Sequence, residues 1–398
     1  MKRLGLFALL VVLACQSVPP PPATVDEATQ NAIKGLTDAI AQQPTHTPWI
    51  YLLASYHDRA HDHASVVKWL ERLDELGWEH GVSPIDFRNT NTRAFRDIVS
   101  RLEKREPRVD KARPAFTLAG YRDLVPEGIA YDPVDDVFYV SGIYRRKVLR
   151  VTRDGRARDF VSEGQDGMYG GLGVKVDTKR RLLWVISSTT EEMRGFTPGA
   201  EHASMLAAYD LRDGRLVKKV VATPGRLNDL TLLADGSLFA TDMGRSNVVR
   251  LAPGADTLEI WASELQYPNG IAVSEDERTL YVADFRGIHR FDLATKARTR
   301  IESKSLLNGI DGLSVHNGSL IGIQNAIGKA RVIRVRPESG QVEILESKNA
   351  LFEIPTTGTV AGNDYYFIAN PGLRSFNEDH TIWLDEKLEE PVMLKLSL

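Results

Sequence analysis

The sequence predicts a mainly β protein, a six-bladed β-propeller preceded by a small α-helical module. Three observations predict it. One pattern recurs six times: an opening residue, a short apolar strand, a polar turn and a second strand that usually ends in a polar residue. The copies open at Glu127, Leu172, Asn228, Asn269, Asp311 and Thr357, spaced 45, 56, 41, 42 and 46 residues apart. Repeats of about 40–50 residues made of short strands are what propeller blades look like. Ahead of the first copy, the apolar residues recur instead at three and four, the spacing of a helix face.

The clearest copy runs from Tyr267 to Asp284. Asn269-Gly270 opens the strand Ile271 to Val273, the charged turn Ser274 to Arg278 reverses the chain, and Thr279 to Ala283 leads to Asp284. Two antiparallel strands joined this way put Asn269 and Asp284 at the same end. The other copies place Ser141, Val185, Asp242, Gln324 and Asn370 at or near the ends of their second strands.

Taken in order, the chain begins with Lys2 and Arg3 followed by an apolar run from Leu4 to Ala14. That run is too short for a stable membrane span and reads as a secretory signal. It ends Val12-Leu13-Ala14-Cys15, which resembles the lipobox of bacterial lipoproteins, so residues 1–15 are expected to be a lipoprotein signal with Cys15 the lipidated residue. Cys15 is the only cysteine, so no internal disulfide can form. Gln16 follows where an aspartate would suggest inner-membrane retention. The expected location is therefore the bacterial cell envelope, lipid-anchored in the outer membrane and facing the periplasm. Residues 16–24, with Pro19 to Pro22, read as a stiff spacer.

Residues 25–112 are expected to form the helical module. Ile33, Leu36 and Ile40 share one face; Ile50, Leu53 and His57 share a second; Val66, Trp69, Leu70, Leu73 and Leu76 share a third. Pro44 and Pro48 separate the first two helices. Trp49, Leu52, Tyr56 and Ala64-Ser-Val-Val-Lys-Trp69 resemble a tetratricopeptide helix pair, and Phe87, Phe95, Ile98, Val99 and Leu102 supply a further helix. One such repeat builds no solenoid alone. Packing on the propeller is the simpler expectation, and a protein-partner groove the alternative. His57 and His61 share a helix face, but only Asp58 or Asp62 stands near as a further zinc ligand, and a solvated face is the preferred reading. The charged, proline-containing stretch from Glu103 to Pro114 marks the domain boundary, and residues 113–398 form the propeller.

Third strands are expected at Val148 to Val151, Met205 to Tyr209, Val248 to Leu251, Ile288 to Leu293, Val332 to Val335 and Thr381 to Leu384. Fourth strands precede each opening residue. Phe116 to Leu118 and Val392 to Leu396 compete to close the ring. The net charge of −3 gives no electrostatic case for nucleic acid, and membrane contact is expected through the lipid anchor only.

In a propeller the innermost strands aim their first residues at the axis. Four of the six opening residues carry side-chain oxygen that suits a metal: Glu127, Asn228, Asn269 and Asp311. Asparagine and aspartate disfavour strands, although they suit strand ends. Converging oxygens, two of them anionic, are poorly solvated unless paired. A hard divalent cation resolves this, and oxygen ligands without Cys or His favour calcium, then magnesium or manganese. The plainer alternative is that these residues bond water or cap strands.

Pro126-Glu127-Gly128, Arg226-Leu-Asn228-Asp229, Pro268-Asn269-Gly270 with Leu280-Tyr-Val-Ala-Asp284, and Asp311-Gly312-Leu313 together resemble the senescence marker protein / gluconolactonase / luciferin-regenerating family. Paraoxonase and strictosidine synthase are more distant relatives. The resemblance implies that Glu127, Asn269 and Asp311 hold the metal, that Arg226 and Asn228 face the substrate with Asp229 next to them, and that Asp311 is also the catalytic base. Asn228 is a further candidate metal ligand. Asp242, Asp284, Gln324 and Asn370 are candidates for a supporting layer, with turn formation as the alternative. Leu172 breaks the polar ring and suggests an apolar wall. Met168 to Gly171 is a candidate loop over the channel. No histidine pair of the paraoxonase kind is evident.

The expected function is a divalent-metal, calcium-first hydrolase of a lactone or related ester. The alternatives are a non-catalytic envelope propeller with a structural metal that binds a ligand or protein partner, and a scaffold centred on the helical module.

Overall fold

The computed structural model describes residues 25–398 apart from Glu378. The expected signal, Cys15 and the proline spacer lie outside the described residues.

Four helices form the module: α1 (Glu27–Gln42), α2 (Thr47–Arg59), α3 (His63–Glu75) and α4 (Arg93–Arg105). Each of three starts on a side chain that accepts an otherwise orphaned backbone N–H: Asp26 from Thr29 at 2.7 Å, Asp62 from Ser65 at 3.1 Å and Thr92 from Phe95 at 3.2 Å. Ile50, Leu53 and Ala54 of α2, Val66, Leu70 and Leu73 of α3, and Ile98 and Leu102 of α4 bury the shared face. Phe87 is not helical. It sits in the irregular stretch between α3 and α4 and packs edge-on against Tyr51, with ring centroids 5.6 Å apart. The histidines meet local partners: His57 Nδ1 lies 3.2 Å from Asp62 and His63 Nδ1 2.9 Å from Thr90.

Six four-stranded antiparallel sheets follow. Blade I is Pro126–Asp132, Val137–Gly142, Lys147–Thr152 and Ala157–Val161; blade II is Gly170–Asp177, Leu182–Ser188, Ser204–Asp210 and Leu216–Ala222. Blade III is Leu227–Leu232, Leu238–Asp242, Asn247–Leu251 and Glu259–Ala262; blade IV is Ile271–Val273, Thr279–Asp284, Gly287–Asp292 and Arg298–Arg300. Blade V is Ile310–His316, Ser319–Gln324, Arg331–Arg336 and Gln341–Ser347.

Blade VI corrects the sequence reading. Its strands are Gly358–Ala361, Asp364–Ile368, Val392–Ser397 and, outermost, Arg113–Thr117. The two segments that competed for closure are both used: Val392–Ser397 is the third strand and Arg113–Thr117 pairs with it as the fourth. Thr381 to Leu384 is not a blade strand; only an isolated Phe376–Ile382 bridge forms there, within the long connection 369–391. Thr381-Ile-Trp-Leu384 has strand composition, but the third and fourth places in blade VI are taken by Val392–Ser397 and Arg113–Thr117.

The module is docked on the ring. Ile327 of blade V belongs to the module's core, and Phe285 and Leu306 pack against it. Lys329 Nζ meets Glu103 at 2.6 Å, Arg331 donates to His80 Nε2 at 2.8 Å, and Lys348 donates to the Glu106 carbonyl at 2.7 Å. Between module and ring, the buried Glu346 carboxylate accepts the Lys111 and Ala112 N–H groups at 2.7 and 2.6 Å. The linker is thereby pinned along blade V before it enters the closing strand.

Adjacent blades approach so closely at the axis that a side chain is excluded. A Cβ on Gly270 would lie 2.2 Å from the Asp311 carbonyl oxygen and 2.9 Å from Leu313 Cβ. Gly270→Ala is therefore expected to destabilise the protein by at least about 1–3 kcal/mol, the range for overpacking a rigid core. A denaturant midpoint equal to wild type would show that the blades can separate without loss.

Candidate metal and hydrolase site

In four blades the innermost strand bulges at its opening residue. In blade I, Pro126 pairs with Gly142 and Ile129 with Val140, so Glu127 and Gly128 together face one residue, Ser141. The same irregularity falls on Leu172 and Gly173 in blade II, on Asn228 and Asp229 in blade III, and on Asp311 and Gly312 in blade V. A bulge re-aims a side chain without ending the strand. In blade IV the strand proper begins at Ile271, but Asn269 N–H still donates to the Ala283 carbonyl at 2.9 Å.

Hydroxyls from neighbouring strands then hold the opening carbonyls. Thr241 Oγ1 donates to the Asn269 carbonyl at 2.8 Å, Ser141 donates to that of Leu172, and Thr356 donates to that of Glu127 at 3.0 Å. With each carbonyl tied sideways, the side chain is left to point inward. Thr357 uses its own hydroxyl on the Glu127 carbonyl.

Three of the axial oxygens lack partners. Glu127 Oε2, Asn228 Oδ1 and Asn269 Oδ1 are all buried without a hydrogen bond. Asn228 Nδ2 lies 2.9 Å from Met243 Sδ, a weak acceptor. Asp311 is held by Asn325 Nδ2, which donates to its Oδ2 at 2.6 Å and to the Pro355 carbonyl at 2.9 Å. Burial pushes the Glu127 carboxyl well above its ordinary range, with the charges of Asp311 and Asp229 adding to the effect. Burial pushes Asp311 up to about 7, opposed by the Asn325 and Asn269 amides and reinforced by Asp229.

Among the described residues, no three His, Cys, Asp or Glu side chains gather as a metal-holding group. Two carboxylates and two amide oxygens form the set instead. Each orphaned oxygen costs about 1–3 kcal/mol. A hard cation that accepts oxygen ligands of both kinds removes that cost, so the donors fit calcium.

Asp229 sits lower. Its Oδ1 accepts the Leu230 N–H at 2.8 Å, and together with Lys175, Gly173, Gly312 and Thr357 it lines an axial void of about 10 Å3, room for about one water. It shares the electrostatic field of Glu127 and Asp311 from beneath. Burial raises its carboxyl, and the Lys175 charge opposes that. Arg226 is exposed, and its guanidinium has no hydrogen bond or ion pair among the described residues.

The second-strand ends organise loops. Asp242 accepts the N–H groups of Arg226, Gly244 and Arg245 at 3.1, 3.1 and 3.2 Å. Asp284 binds Arg286 and His289, Gln324 holds the Leu306 and Asn308 carbonyls, and Asn370 accepts from Val392. Of these four, Asp242 alone hydrogen-bonds a predicted site residue, Arg226, among the described residues. Leu172 is buried in an apolar cluster with Val125 and Ile143, with Met193, Leu373 and Phe376 packed on it, which places apolar wall on that side. Met168 to Gly171 is not a loop over the channel: Met168 is buried between blades, and Gly170 already begins the inner strand of blade II. Asn325 and Met243, which touch Asp311 and Asn228, had no signal in the repeats, because they lie just past the second strands.

The family model described as SMP-30/Gluconolactonase/LRE-like region matches residues 125–367. Among solved structures, the chain is similar to regucalcin, a calcium-binding protein from Agrobacterium tumefaciens, at 16% identity and a TM-score of 0.53, covering 73% of this chain and 95% of that one. It is also similar to virginiamycin B lyase from Staphylococcus aureus, at 14% identity and a TM-score of 0.50, covering 72% and 99%. A gluconolactonase from Xanthomonas campestris aligns at 19% identity and a TM-score of 0.47, covering 73% and 97%. No curated protein matches the chain.

The raised carboxyls set a pH dependence. Their unfolded values lie near 4, so the metal-free fold takes up protons relative to the unfolded chain. The contribution of Asp311 to stability is greatest below that range and is lost as pH rises from about 4 to about 7, and Glu127 acts in the same direction. A hard cation bound there would replace those protons, and at a hundred times its dissociation constant would contribute about 2.7 kcal/mol. Melting curves with calcium and with chelator should separate more at pH 8 than at pH 5. Coincident curves at both pH values would remove the cation from the site.

Proposed function

The chain belongs to the SMP-30/gluconolactonase/LRE-like family, and on that premise we propose that it is a calcium-dependent hydrolase of lactones or related esters. The observation that carries the reading is the convergence of three unpartnered oxygens, from Glu127, Asn228 and Asn269, around the same axis as Asp311. These four residues would hold the ion. When bound, it would supply a Lewis acid for the substrate carbonyl and lower the pKa of attacking water.

The chain's own groups do the rest. Asp311, buried and fixed through Oδ2 by Asn325, is placed to take a proton from the attacking water. As the new carbon–oxygen bond forms, the bond to the ring or alkoxy oxygen breaks, and the same proton passes to that leaving oxygen. Water and lactone thus give a hydroxy acid. Arg226 offers an unengaged planar fork at the mouth, suited to a carboxylate or hydroxyl-rich group. Leu172 and the apolar cluster about it limit water on the far side.

We also place the protein at the cell envelope on a lipid attached to Cys15, from the basic, apolar and Leu-Ala-Cys order of its first residues. Cys15→Ser is then expected to move the protein out of the membrane fraction. Continued membrane retention of that variant would overturn the anchor.

For the chemistry, a panel of lactones and esters should be hydrolysed with calcium and not with chelator. Asp311→Asn should lower kcat by about 10²–10⁴, the usual contribution of a positioned base. Hydrolysis that persists through both treatments rejects the mechanism. Calcium binding without turnover of any lactone or ester rejects the hydrolase and leaves a ligand-binding propeller.

A further inference from the structure

The helical module does more than cover the ring. Between α2 and blades III and IV lies a cavity of about 420 Å3 whose walls include Leu52, Met243, Gly244, Tyr267 and Phe285. No charged side chain among the described residues lines it. The cavity at the opposite end of the axis differs, since Lys175, Glu275 and Glu277 line it. So does the one on the module's other flank, with Lys329, Lys348 and Glu353. The few polar groups of the α2 cavity, Ser246 and Gln266, are neutral.

This cavity adjoins the axial site. Met243, one of its walls, is the residue whose Sδ lies 2.9 Å from Asn228 Nδ2. Gly244, another wall, abuts Arg226: a Cβ there would lie 3.0 Å from Arg226 Cβ. A molecule with its reacting group among the axial oxygens would therefore meet this cavity just beyond Asn228 and Arg226. Tyr267, 69% exposed, stands at its rim, and Leu52 on the helical module supplies the opposing wall. An exposed tyrosine beside an apolar hollow is an unfilled contact, since large apolar surface left to water is unfavourable.

We infer that this cavity is the subsite for an apolar arm of the substrate, so that the substrate class is a lactone or ester bearing an alkyl or aryl substituent, with α2 acting as a specificity element. The inference rests on the hydrolase reading for the word substrate, but the cavity itself can be tested without turnover. The space is ample for a hexyl chain. Each buried methylene contributes up to about 0.8 kcal/mol, about fourfold in affinity.

The probes are γ-butyrolactone and γ-decanolactone, which share a ring and differ by a hexyl arm. With wild-type protein and calcium, kcat/KM is expected to be at least about tenfold higher for γ-decanolactone, well within what the added methylenes can supply. Titration calorimetry on the protein in chelator, where no hydrolysis is expected, reads binding without chemistry, and the same preference is expected there. Leu52→Trp under that condition, filling the cavity, should bring the ratio toward one. Leu52→Gln, similar in size but polar, should lower it several-fold and guards against a fold lost to the larger ring. If neither lactone is hydrolysed but the affinity difference exists and Leu52→Trp removes it, the hydrolase reading falls and the apolar subsite stands. Equal or undetectable affinities for the two lactones, or a chain-length preference that both Leu52 variants leave intact, overturn the subsite.

Discussion

The contact on which the rest of the structure depends is backbone against backbone at the propeller axis. Hypothetical Cβ atoms at Gly128, Gly173 and Gly270 would fall 2.3, 2.8 and 2.2 Å from the carbonyl oxygens of Leu172, Asn228 and Asp311, the opening residues of the next blades. Gly312 meets Thr357 in the same way, at 2.7 Å from its Cα. Leu172, Asn228, Asp311 and Thr357 are thus each wedged by a glycine of the preceding blade, and the carbonyls of Glu127, Leu172 and Asn269 are tied by hydroxyls. These constraints leave the axis as the open direction for the side chains. The oxygens of Glu127, Asn228, Asn269 and Asp311 converge as a consequence of how blades fit, and the unsatisfied state of three of them is what that fit leaves over. Blade III has Asp229 where the other bulged strands have glycine, and there a carboxylate occupies the layer beneath.

Much of this was legible in the sequence. Short apolar strands, polar turns and the spacing of the copies record a sheet that is buried on both faces and repeated six times. The opening residues could be aligned because they precede those strands. The bulges could not be read, since a bulge is a property of hydrogen-bond register between two strands and leaves no fixed residue type. Without them an alternating strand would send Glu127 and its counterparts sideways into the neighbouring blade. Blade VI departs from the expectation at Thr381 to Leu384 because composition favours a strand there, whereas available pairing partners decide. Met168, beside two glycines, reads as open loop, but its side chain has a buried place between blades to fill. The partners Asn325 and Met243 and the wall residue Leu52 escape a repeat-based reading because they lie outside the repeat, where position in space is set by other blades and by the module.

The helical module and the ring are joined by more than proximity. The chain leaves α4, runs along blade V under the Glu346 carboxylate, and becomes the outer strand of blade VI. Closure of the propeller therefore fixes where the module ends, and docking of the module around Ile327 fixes where the closing strand begins. Arg374, in the long connection of blade VI, reaches within 3.9 Å of Asp86 in the module and brings that connection alongside it. Tyr144 and Phe376 meet across blades I and VI with centroids 5.9 Å apart, and Phe196 and His380 meet across the long connections of blades II and VI at 5.3 Å.

The mouth of the axis is consequently rimmed by parts of the chain that are remote in sequence, while the small void at Asp229 leaves little room for a through channel. That geometry has an electrostatic result. Interactions among charges grow stronger as water is excluded, and the carboxyls of Glu127 and Asp311 are raised mainly by loss of water. Their tendency to hold protons and their expected affinity for a hard cation are two expressions of one desolvation. The first and last strands meet in blade VI and the module seats on blades IV and V, so the surroundings of the mouth are complete only when the whole chain has folded.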